Sequence, residues 1–155
     1  MRIHGKFMSG LAAAIGTAFG MTLLTAAPAS ATQIAHNCEG SGVVRCANIE
    51  MPSTGVFNAH ARVTDTSGGT NYDVQVIEVR LEYNLNGNWT LLRDEFPANA
   101  WEPDQDVART TTYSCGSSAR KIVRAKAYVQ WRSGGTVTGD WVATPTEPPT
   151  YICPR

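Results

Sequence analysis

KIVRAKAYVQWR (residues 121–132) alternates almost without fault. Val123, Ala125, Ala127, Val129 and Trp131 fall on one side, and Arg124, Lys126, Tyr128, Gln130 and Arg132 on the other. Because successive side chains of a strand point to opposite faces, this segment predicts a strand with one packed face and one wet face. Such strands belong to antiparallel sheets that bury a single side. Positive charge is concentrated on this strand and its entry turn: Arg120, Lys121, Arg124, Lys126 and Arg132 stand within thirteen positions.

The same alternation recurs on both sides of this stretch. VVRCANIEM (43–51) runs into Pro52 and Gly55, and VFNAHARVT (56–64) sets Phe57, Ala59, Ala61 and Val63 opposite Asn58, His60 and Arg62. YDVQVIEVRLEYN (72–84) alternates through Val74 and Val76, then slips by one so that Ile77, Val79, Leu81 and Tyr83 continue the apolar row. A one-residue slip inside a strand predicts a bulge. Asn86-Gly87 follows, and both central residues of a tight hairpin turn need positive φ, which these two tolerate. Segments 89–93, 107–115 and 137–144 complete about seven strands, separated by Gly, Ser, Asn or Pro, with no helical period of ten residues. The expected fold is all-β, an antiparallel β-sandwich of immunoglobulin or fibronectin III-like character.

At the N-terminus, Arg2 and Lys6 precede an apolar run that ends in small residues at Ala29 and Ala31. This is the pattern of a secretory signal peptide over 1–31, too short and too Gly-interrupted for a membrane span. A single domain, 32–155, is expected to follow, opening with an extended arm at 32–37. Of thirteen basic residues two leave with the signal, so eleven face all thirteen carboxylates in the exported part. A nucleic-acid partner is not expected of such a balance. Four cysteines in an oxidising compartment predict two disulfides. Cys38 with Cys46 is the favoured first pair, because a short Gly-containing loop joins them, and Cys115 with Cys153 the second, tying the tail to a strand end.

Catalytic motifs are absent from this pattern, and a non-catalytic protein is the expectation. His36 and His60 stand in no nucleophile or metalloprotease motif, and His60 reads as a surface residue. Glu78, Arg80 and Glu82 share the outer side of one strand, where ion pairing across to the basic strand explains them as well as a carboxylate pair for glycoside hydrolysis would, and spacing singles out no such pair. Glu102, Asp104 and Asp106 give one loop three hard oxygen ligands, but without the remaining features of a calcium loop, so no metal or other cofactor is expected. Four tryptophans, Trp89, Trp101, Trp131 and Trp141, keep a carbohydrate in view as a ligand, with Trp101 the most exposed and Trp131 in the core. CEGSGVVRC (38–46), with Arg45, offers a constrained loop of the sort that a protease inhibitor presents.

The Ala- and Gly-rich SGLAAAIGTAFG (9–20), the early pair Cys38 and Cys46, and the block RAKAYVQWRSGGTVTGDW (124–141) resemble those of small secreted actinobacterial β-sandwich proteins. Among these are the adapter subunits of secreted umbrella toxin particles. The resemblance implies a non-enzymatic connector between a lectin-bearing subunit and a large toxin chain. The expectation is therefore a secreted, extracellular module that binds another secreted protein. Its partner-binding residues would be Thr32, Gln33, Ile34 and His36 of the arm, which could add to a sheet edge, and Arg120, Lys121, Arg124, Lys126, Tyr128 and Arg132 of the basic strand.

Overall fold

The computed structural model describes residues 31–116 and 122–146. The expected signal segment, Arg120, Lys121 and Cys153 lie outside the described residues. Nine strands are present among them: β1 (Thr32–Glu39), β2 (Val43–Ser53), β3 (Val56–Asp65), β4 (Asp73–Leu85), β5 (Asn88–Glu95), β6 (Gln105–Arg109), β7 (Tyr113–Ser114), β8 (Ile122–Ser133) and β9 (Thr136–Ala143). All pairings are antiparallel. Sheet A runs in the order β1-β2-β3-β6, with β7 also on β3, and sheet B in the order β5-β4-β8-β9.

The alternation in each sequence segment sets the face that it buries. Ile49 of β2, Phe57, Ala59, Ala61 and Val63 of β3, Val74, Val76, Val79 and Leu81 of β4, and Val123, Ala125, Ala127 and Val129 of β8 form one apolar core between the sheets. The expected slip in β4 is a bulge: the register with β8 shifts between Val76 and Glu78, so that Val79 and Leu81 return to the core side. Asn86 and Gly87 both have positive φ, 54° and 87°, and close the β4–β5 hairpin in two residues.

The strand count exceeds seven for two reasons. The segment expected as an arm at 32–37 is extended, but it is paired along β2 and so belongs to sheet A instead of projecting freely. Main-chain hydrogen bonds and the Cys38–Cys46 disulfide hold it there. These cysteines stand directly opposite each other with Cα atoms 4.1 Å apart. Segment 107–115 divides into β6 and β7, because Thr110 leaves the ladder and bonds Ala59 through both its N–H and its hydroxyl. Cys38–Cys46 is the disulfide shown. Cys115 is buried and is not a free thiol, and its expected partner lies outside the described residues.

The carboxylates of the expected acidic loop do not act together. Asp106 is buried, and it accepts hydrogen bonds from Val76 N–H at 2.6 Å, from its neighbour Val107 N–H at 2.7 Å and from the Asn99 side-chain amide. It thereby links β6 to the bulge of β4. Glu102 bridges to Val74 through its main chain, and its side chain, like that of Asp104, is exposed.

Candidate functional site

The outward row of β8 lies on the solvent side of sheet B, as its alternation requires, but its cations are not free. Register sets Arg124 opposite Glu82, Lys126 opposite Arg80 and Tyr128 opposite Glu78, with Trp141 of β9 on the far side of Tyr128. Arg124 Nε bonds Glu82 Oε2 at 2.7 Å, and its guanidinium lies 4.0 Å from the Trp89 ring centroid. Arg80 is held by Glu78 through Nε and Nη2, which raises its pKa above the ordinary guanidinium value. Lys126 Nζ and the Arg80 guanidinium lie 4.2 and 5.0 Å from the Trp141 ring, and the Tyr128 and Trp141 centroids are 5.2 Å apart. Gly139, opposite Gln130, makes room for this arrangement, since a Cβ there would overlap the Tyr128 hydroxyl.

Among the described residues the arginines of this face are each held by a carboxylate, Arg80 by Glu78, Arg124 by Glu82 and Arg132 by Asp73, while Lys126 lies over Trp141. What remains is a lattice of half-buried Trp, Tyr and Arg side chains, each in contact with a neighbour on the same face.

The other two tryptophans are capped in the same way. Arg132, which bonds Asp73 at 2.8 Å, lies 4.7 Å from the Trp101 centroid. Arg45 lies 5.1 Å from that of Trp131 and pairs with Asp140 at 3.3 Å and Glu39 at 3.7 Å. Energetic cation–π contacts occur about once per 70–80 residues in proteins, so a cation on every tryptophan is a concentrated use of them. One consequence is that Arg45, with 13% of its side chain exposed, is tucked against sheet B and does not project from a loop. Trp131 packs against the core as the alternation implied, whereas Trp101 is only half exposed.

Thr32, Gln33, Ile34 and His36 stand on β1 at the edge of sheet A, and Arg124, Lys126, Tyr128 and Arg132 on sheet B. The two expected groups thus belong to different sheets. Asn37 donates from its side-chain amide to the Ala143 carbonyl at 3.0 Å, stitching the β1 edge to the end of β9.

A second cluster lies on the outer face of sheet A. Asn48, His60 and Arg109 are opposite one another across β2, β3 and β6. Glu50, buried, accepts from His60 Nδ1 at 2.9 Å, from Arg109 through Nε at 3.0 Å and Nη2 at 3.2 Å, and from the Asn58 amide at 3.3 Å. The Asn58 carbonyl oxygen is buried without a hydrogen-bond partner. His60 has its pKa lowered below 6.5, first by burial, with Arg109 and Arg62 acting in the same sense and Glu50 opposing them. Above pH 6.5 its contact with Glu50 is thus that of a mainly neutral imidazole donating its Nδ1 proton. An open groove of about 450 Å³ adjoins, lined by His60, Arg62, Gln105, Val107, Ala108 and Arg109.

From sequence His60 is a surface histidine, and nothing local joins it to Glu50 or Arg109. Among the described residues no group of three or more His, Cys, Asp and Glu side chains is placed to hold a metal ion, and no helix is long and apolar enough to cross a membrane. Compared with known proteins, the chain matches no family model and no curated protein.

Proposed function

We propose that this is an exported, non-catalytic module that binds another secreted protein through the outer face of sheet B. An adapter or accessory subunit of an extracellular complex, in the form suggested by the resemblance to toxin-particle adapters, is the specific role. The observation that carries the reading is the pre-ordered face built from Trp89, Trp141, Tyr128, Arg80, Arg124 and Lys126. These residue types dominate the energetic centres of interfaces, and side chains already fixed by neighbours lose little conformational entropy on docking.

We also infer an immunoglobulin or fibronectin III-like character for the sandwich. The strand order supports it: β5-β4-β8-β9 corresponds to C′-C-F-G, and β2-β3-β6 to A-B-E, with β1 added outside A. Stacking of sugars on tryptophan is disfavoured, because each ring already carries a cation. A protease-inhibiting loop is disfavoured by the inward setting of Arg45.

The test is affinity capture of the tagged protein from the producer's culture medium, followed by affinity measurement with the purified partner. A stoichiometric secreted partner whose binding weakens at least about tenfold in Trp141→Ala or Tyr128→Ala supports the reading. A partner that binds both variants as well as the parent removes sheet B from the interface.

A further inference from the structure

We infer that the groove on the outer face of sheet A, on the opposite side of the molecule from the aromatic face, is a binding site for a small carboxylate that carries a neighbouring hydroxyl group. Its cations are differently disposed from those of sheet B. Arg62 is exposed and, among the described residues, has no carboxylate against it. Arg109 is fixed by two contacts to Glu50. Arg62 stands opposite Val107 and His60 opposite Arg109, so Arg62 and Arg109 are diagonal neighbours across β3 and β6. Diagonal pairs are separated by about 7–8 Å at the backbone, a span that two long guanidinium side chains close around one carboxylate.

The remaining walls define the rest of the ligand. Thr64 donates its hydroxyl to Gln105 Oε1 at 3.4 Å, which leaves the Gln105 amide nitrogen as a donor beside Arg62. His60 spends its Nδ1 proton on Glu50, so its Nε2 is an acceptor, and an acceptor calls for a hydroxyl. A fully ionised inorganic anion would set lone pairs against that nitrogen. Val107, 48% exposed, provides an apolar surface between the two arginines for a carbon skeleton. The volume, about 450 Å³, lies in the usual range for small-molecule sites.

The experiment is an NMR titration at pH 7.5 of the whole exported protein with D-glucuronate, against glucose (hydroxyls only), acetate (carboxylate only) and inorganic sulfate (fully ionised) at matched ionic strength. Glucuronate is expected to shift the amides of His60, Arg62, Val107 and Arg109 saturably, and to bind at least about tenfold more tightly than the other three. Arg62→Ala, which removes an exposed side chain and leaves the amides of sheet B unmoved, should weaken glucuronate by about tenfold. The inference is overturned if no saturable shift occurs, if acetate, glucose or sulfate binds as tightly, or if Arg62→Ala binds glucuronate like the parent.

Discussion

Replacing Asp106 by alanine tests the link between the sheets directly. Its carboxylate receives the Val76 N–H at 2.6 Å, the Val107 N–H at 2.7 Å and the Asn99 amide. Val76 is fully buried, so its orphaned N–H has no access to water, whereas Val107 is half exposed and loses little. Leaving a buried donor unsatisfied costs roughly 1–3 kcal/mol, and the freed Asn99 amide adds a smaller loss, so about 2–4 kcal/mol is expected in total. For a domain of this size that corresponds to a fall in Tm of about 8–16 °C. Asp106→Asn should lose about half as much, because one amide oxygen still accepts while the NH₂ faces donors. Thermal unfolding by circular dichroism reads these values, with Glu102→Ala and Asp104→Ala as controls from the same loop. The reasoning is refuted if Asp106→Ala melts within about 2 °C of the parent, or if either control falls as far.

On sheet B, Glu82→Ala strips Arg124 of its carboxylate and should cost about 1–2 kcal/mol, more than an exposed ion pair because Glu82 is buried. A double-mutant cycle with Arg124→Ala that shows no coupling would show the contact to be energetically idle. Gly139→Val should displace Tyr128 from its place beside Trp141 and change the near-ultraviolet dichroism, while Gly42→Ala, in open space, should not. Replacing Cys38 and Cys46 together by serine should destabilise by about 2.5 kcal/mol, read from denaturant midpoint and m-value together because the cross-link also restricts the unfolded chain. The folded pKa of His60 lies below its ordinary 6.5, so the unfolded chain binds the proton more readily. Its contribution to stability is therefore full above pH 6.5 and is lost as pH falls through that value towards the folded pKa. His60→Gln should flatten that part of the stability profile, and an unchanged slope would show the titration to lie elsewhere.

Much of the fold was readable in local pattern. The slip at Val76–Ile77 marked a bulge because side-chain direction in a strand has a period of two, and Asn86-Gly87 marked a hairpin because few other pairs accept two positive φ values. That the carboxylates of β4 could pair with the basic strand also followed from alternation, since both fall on outer rows; that Glu82 meets Arg124 is set by register. What was hidden depends on register between distant segments. Segment 32–37 looked like an arm because its pairing along β2 is a matter of register, although Gly40, Ser41 and Gly42 supply the turn into Val43. That it is a strand is settled by Cys38 meeting Cys46 across the pair. The basic row looked positive because its counter-ions are contributed by other strands. His60 looked like an ordinary surface residue because Glu50 and Arg109 reach it from either side across the sheet, ten and forty-nine positions away. Arg45 looked like a loop arginine, but the carboxylate and the indole that hold it lie on the opposite sheet.

The two faces differ in a way that ionic strength should expose. On sheet B Arg80, Arg124 and Arg132 are each spent on a carboxylate and a ring, so a partner docking there meets an aromatic surface with few free cations, and its affinity rests on area and fit. In the groove of sheet A, Arg62 has no counter-ion among the described residues, and a bound carboxylate would complete an exposed ion pair. Raising salt from 0.1 to 1 M contracts the screening length from about 10 Å to about 3 Å. Glucuronate binding should therefore weaken several-fold over that range, whereas partner capture through sheet B should change little, or strengthen as apolar burial is favoured. Equal weakening of both would mean that the lattice of sheet B does not neutralise its own cations, and would move the partner's contact towards free charges at its rim. Salt-independent binding in the groove would mean that Arg62 does not touch the ligand.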